Sequence, residues 1–67
     1  MEVIVYMKQF DCKFDKRNNT IYIYDKLVMI GYYDVETNCI TYDSDYERYY
    51  DDITDNVTRV LYKVMHN

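Results

Sequence analysis

Hydrophobic and polar positions along the chain change period once, near residue 43. Residues 2–10 (EVIVYMKQF) are dense in β-branched and aromatic side chains and predict a strand. Residues 11–19 (DCKFDKRNN) are polar and predict a loop, and the Asn18-Asn19 pair suits a turn because Asn tolerates left-handed backbone angles. In residues 20–24 (TIYIY), Ile21 and Ile23 alternate with Tyr22 and Tyr24, which is strand period. Asp25-Lys26 is a two-residue connection into a further strand at 27–33 (LVMIGYY), where Gly31 marks a bulge or a close backbone approach. Residues 34–38 (DVETN) form the next turn, and 39–42 (CITY) a short fourth strand. Short links between successive strands imply an antiparallel meander.

From Tyr46 onward the apolar positions recur at three and four residues: Tyr46, Tyr49, Tyr50, Ile53, Val57, Val60, Leu61 and Val64. That spacing is one face of an α-helix, predicted over 44–65. Ser44 and Glu47 have the spacing of a capping box. Asp45 and Glu47 suit the positive end of the helix dipole, and Lys63 and His66 the negative end. Thr54-Asp55-Asn56 is weak helix-forming sequence and a place for a kink. The expected architecture is α+β: a single domain over 1–67, with a three- to four-stranded antiparallel sheet packed on one C-terminal helix. One helix covers one face of such a sheet. The uncovered face argues for a homodimer through sheet faces or an edge strand.

Size and charge narrow the function. A chain of 67 residues buries little of its surface and has scant room for a water-excluding cleft, which disfavours catalysis. Ten Tyr residues and a single Gly indicate a folded chain with no flexible linker. Tyr fills half-buried strand positions well, and it is also enriched at protein contacts. No stretch has the ~18 apolar residues of a membrane span, and MEVIVYMKQF lacks the basic opening of a secretory signal. A cytoplasmic location is therefore expected, with Cys12 and Cys39 as reduced thiols.

The net charge of −4 is unevenly spread. Residues 34–55 hold Asp34, Glu36, Asp43, Asp45, Glu47, Asp51, Asp52 and Asp55 against the single base Arg48. These eight acids are the candidate partner-binding face, with Tyr46, Tyr49 and Tyr50 as aromatic candidates interleaved among them. On a helix, Asp51 and Asp55 lie about 6 Å apart along the axis, comparable with phosphate spacing on DNA. Solubility and helix capping account for the same acids without a partner. An acidic chain whose only basic cluster is Lys13, Lys16 and Arg17 is a poor direct binder of nucleic acid. One terminal His, no CxxC spacing and a single Gly leave no triad, zinc site or phosphate loop, so no catalytic residue, metal or cofactor is expected.

A small, acidic, Tyr- and Asp-rich chain with no Pro and a capped C-terminal helix resembles the early phage proteins that disable host factors. Several of those mimic DNA, among them inhibitors of uracil-DNA glycosylase, restriction enzymes, CRISPR nucleases and a histone-like protein. Ile21 to Asp34 (IYIYDKLVMIGYYD) is similar to a strand pair in staphylococcal uracil-DNA glycosylase inhibitors. The Glu-Ser-Ile motif by which those inhibitors engage their enzyme is absent, so no functional residue transfers. The resemblance implies an inhibitor that occupies the nucleic-acid site of a basic host protein such as a histone-like protein, nuclease, glycosylase or polymerase. The alternative is an interaction module that inhibits a host enzyme, such as RNA polymerase or a replication factor, through a strand edge or a patch including Tyr22, Tyr24 or Tyr32. A third reading is a structural or accessory protein.

Overall fold

A computed structural model describes residues 8–66. It contains β1 (Asp11–Asp15), β2 (Thr20–Asp25), β3 (Val28–Asp34) and β4 (Cys39–Tyr42), then a 3-10 helix (Ser44–Tyr49) and α1 (Tyr50–Met65). The strands form one antiparallel sheet in the order β1-β2-β3-β4. The α+β meander with a C-terminal helix is the expected architecture.

The first strand departs from expectation. The predicted strand at 2–10 lies outside the described residues as far as residue 7, and residues 8–10 have no regular secondary structure. β1 instead occupies Asp11–Asp15, where a loop was expected. Its inward positions are Cys12 and Phe14, which pack against the core, while Asp11, Lys13 and Asp15 alternate outward. The period-two pattern is present, but charged outward residues give it the composition of a loop.

Three turns use residues with positive φ: Asn19 (52°), Lys26 (59°) and Asn38 (58°). In the first turn, Asp15 Oδ1 accepts from the backbone N–H of Arg17 at 3.0 Å, and the Asn18 amide donates to Asp15 Oδ2 at 2.8 Å. In the second, Leu27 belongs to the turn and β3 begins one residue later, at Val28. In the third, Glu36 N–H donates to Asp34 Oδ1 at 3.0 Å.

The register shifts between Ile23 and Tyr24, so Ile30 is an extra residue opposite β2. Gly31 adjoins this bulge, and β4 passes so close that a Cβ there would lie 2.2 Å from the Thr41 carbonyl oxygen and 2.7 Å from Tyr42 Cα. Both roles read for Gly31, bulge and close approach, are present.

One side of the sheet is dry. Phe10, Ile21, Ile23, Ile30, Ile53 and Val57 are buried together. α1 packs on β1 and β2. Ile53 and Val57 face the sheet, with Val60 and Leu61 packed partly buried against the same core. Thr54-Asp55-Asn56 stays within the continuous helix; Asn56 Nδ2 donates to the Asp52 carbonyl and Thr58 Oγ1 to the Thr54 carbonyl, both at 2.7 Å.

Candidate functional site

The eight candidate acids do not share one surface. Asp34 ends β3 and Glu36 lies in the following turn. The chain then crosses the sheet along β4 before Asp43, a distance of about 13 Å at ~3.3 Å per residue. Residues 44–49 are 3-10 rather than the expected α-helix. At about three residues per turn, Asp45 and Glu47 point in different directions instead of extending the Asp51–Asp55 row. The cap also differs: Asp43 is the N-cap, its Oδ1 accepting from Asp45 N–H at 3.0 Å, and the Ser44–Glu47 capping box is not formed.

Several of the acids are engaged within the chain. Asp52 Oδ2 accepts from Lys8 N–H at 3.3 Å, and Asp55 pairs with Arg59 at 3.1 Å. Asp45, Glu47 and Asp51 are exposed and form no ion pair among the described residues.

The candidate tyrosines divide by role. In a 3-10 helix, residues three apart eclipse. Tyr46 and Tyr49 are such a pair, and both rings meet Phe10 edge-on at 6.0 and 6.1 Å. Docking on Phe10 accounts for the tighter turn. Tyr46 Oη donates to Asp25 Oδ2 at 2.7 Å, and Lys8 Nζ lies 3.4 Å from Asp25 Oδ1. The Tyr46 hydroxyl and then Lys8 hold the Asp25 carboxyl below its ordinary pKa, while the bond to Asp25 raises the Tyr46 phenol. Tyr46 and Tyr49 therefore tie the 3-10 helix to β2 and the core. Tyr50 is exposed and packs on Tyr42 at 6.0 Å.

Lys8, Asp25, Asp45, Tyr46, Arg48 and Tyr49 line an open hollow of about 350 Å³. Arg48 lies over the Tyr49 ring at 4.8 Å and donates to its hydroxyl at 2.8 Å. The bases here are engaged elsewhere, Lys8 with Asp25 outside the acidic segment and Arg48 with Tyr49. Asp25 was not among the sequence candidates; its contacts to Lys8 and Tyr46 are distant in sequence and leave no local signal.

The helix-free side of the sheet is built by alternation. Lys13, Tyr22, Tyr32 and Thr41 form one cross-strand row, and Asp11, Tyr24 and Met29 the next. Tyr22 and Tyr24 are half-buried, while Tyr32 and Met29 are 42% and 52% exposed. Lys13 Nζ sits 5.3 Å from the Tyr24 ring centre, so this face already holds a cation on an aromatic ring. Asp11, Asp15 and Asp34 border it. Leu27, 96% exposed, projects from the β2–β3 turn at one end.

Cys12 and Cys39 are free, on the two outermost strands and opposite faces of the sheet. Three strand spacings, about 14 Å, separate β1 from β4, too far for a disulfide. Burial, with Asp11 beside it, raises the Cys12 thiol pKa to about 11. Among the described residues, no group of three or more His, Cys, Asp and Glu is placed to hold a metal ion, and no helix is long and apolar enough to cross a membrane. No family model, curated protein or solved structure matches the chain.

Proposed function

We propose that this chain is a non-catalytic binding module that docks a basic protein surface onto the helix-free face of its sheet. The observation that carries this reading is the cross-strand group of Tyr22, Tyr24, Tyr32 and Met29, which α1 leaves uncovered among the described residues and which Asp11, Asp15 and Asp34 border. Tyr rings offer apolar area at low entropic cost, and they attract Lys and Arg through their faces. Carboxylates around such a patch steer a cationic partner and reject an anionic one. The occupant that suits this chemistry is a protein surface presenting Arg or Lys among apolar side chains. Occupying such a surface inhibits whatever it normally binds.

Mimicry of DNA is the second reading. It is favoured by Asp45, Glu47 and Asp51, which are exposed and meet no cation among the described residues. It ranks second because the remaining acids are dispersed or engaged.

Affinity capture from a bacterial lysate with three baits separates the two. The sheet-face reading predicts that a basic partner held by the unaltered chain is lost by Y22S/Y24S/Y32S and kept by D45K/E47K/D51K. Duplex DNA in excess leaves that complex in place. Loss with the acid variant and release by DNA, with the Tyr variant unaffected, would overturn the sheet-face reading in favour of mimicry.

A further inference from the structure

The outward side of α1 carries a second ordered pattern, independent of the sheet-face reading. With Ile53 and Val57 turned to the core, helical geometry sets Asp51, Asp55, Tyr62 and His66 along the opposite stripe. Asp52 and Lys63 flank it. Charge changes sign along this side, acidic at Asp51, Asp52 and Asp55 in its first half and basic at Arg59 and Lys63 in its second. Acids first and bases last suit the helix dipole. The dipole does not account for two large apolar groups beside the basic half: Tyr62 is 65% exposed and Met65 71%. Thr58, Arg59, Tyr62 and Lys63 line an open hollow of about 390 Å³ there.

A stripe that changes sign along its length is complementary to its own reverse. We infer that α1 pairs antiparallel with α1 of a second copy of this chain, about a twofold axis near Thr58 and Arg59. A twofold interface brings the same surface from both copies together. In that arrangement Asp51 lies level with His66 of the second copy and Asp55 with Tyr62. Asp52 stands beside Lys63 on the same flank. Both exposed apolar groups, Tyr62 and Met65, are covered. The Asp55–Arg59 pair within each helix is 3.1 Å long and exposed, and it remains available to the partner's charges. A parallel pairing sets acid against acid and base against base, so the antiparallel sense is selected. One helix stripe is a small interface, so the dimer is weak and reversible. It leaves the Tyr face of each sheet free, which makes the assembled module bivalent.

The test is sedimentation equilibrium on the intact chain with two charge-inverted variants, D51K/D55K and R59E/K63E. All four positions are on the outer side of the helix, and circular dichroism checks that each variant is folded. The expected result is a dimer of the unaltered chain at about 0.5 mM in low salt that dissociates as ionic strength rises. Each variant alone is expected to be monomeric, with a dissociation constant raised tenfold or more, and an equimolar mixture of the two to dimerise again. A monomeric unaltered chain overturns the inference. So does a dimer that survives in both variants, which assigns self-association to another surface, or a mixture that stays monomeric. Y22S/Y24S/Y32S keeps the helix dimer, so failure here is distinct from failure of the sheet-face reading.

Discussion

Replacing Gly31 with Ala probes the tightest point of the sheet. Gly31 does not have positive φ, so its value is not conformational freedom. It is the absence of a Cβ where β3 and β4 converge: the added carbon would sit 2.2 Å from the Thr41 carbonyl oxygen, 2.7 Å from Tyr42 Cα and 2.9 Å from Tyr42 Cβ. An ordinary carbon–oxygen contact needs about 1 Å more, and the obstacle is mostly backbone. β4 must move. It is a four-residue strand at the edge of the sheet, held near this point by the Gly31–Tyr42 and Tyr32–Thr41 pairings and by Asp43 N–H donating to the Ile30 carbonyl at 2.8 Å. Losing two such hydrogen bonds costs about 1–3 kcal/mol, similar to the usual cost of overpacking. A domain of 67 residues has roughly 3–10 kcal/mol in total. With a urea dependence near ~1 kcal/mol per M, the midpoint of unfolding is expected to fall by about 1–3 M. Amide exchange should also quicken at Tyr42 and Asp43 more than at Ile53. A midpoint within about 0.5 M of the unaltered chain, or exchange no faster in β4 than in α1, would refute the close-approach argument.

Other consequences are open to simple measurements. Lys26 has a φ of 59°, so K26G should raise the thermal midpoint, by up to about 1 kcal/mol of stability. The Cys12 thiol, raised from 9.0 to about 11, favours its neutral form in the fold; that contribution is present below about pH 9 and disappears as pH climbs to about 11. Cys39 is exposed and should be alkylated first at pH 8, with Cys12 following only near pH 11 or on unfolding. The Asp25 carboxyl is depressed first by Tyr46, so Y46F should move its titration upward in a carboxyl-detected NMR experiment. The unaltered chain keeps this contribution above the ordinary carboxylate range and loses it as pH falls through the lowered Asp25 value.

Local patterning was sufficient where neighbours along the chain decide the structure. Ile21 and Ile23 set the face of β2, and Ile53 and Val57 set the face of α1; all four are buried as their periods require. It was insufficient where partners are remote. β1 carries charge at every outward position, which gives a strand the composition of a loop. The 3-10 segment depends on Phe10 receiving Tyr46 and Tyr49, a contact between chain regions more than thirty residues apart. The acidic segment is continuous in sequence but not in space, because β4 carries the chain across the sheet between Glu36 and Asp43. The Tyr face shows the converse. Tyr22 and Tyr24 share one face of β2 and Tyr32 lies on β3, and it is the register that brings Tyr32 beside them.

The claim that the helix-free face is the contact surface is tested most directly by following Tyr ring and Met methyl NMR signals while a captured basic partner is added. The prediction is that Tyr22, Tyr24, Tyr32 and Met29 shift and broaden while Tyr46 and Tyr49, packed on Phe10, do not. Unmoved signals on the sheet face, with perturbation confined to the segment from Asp43 to Asp55, would contradict it.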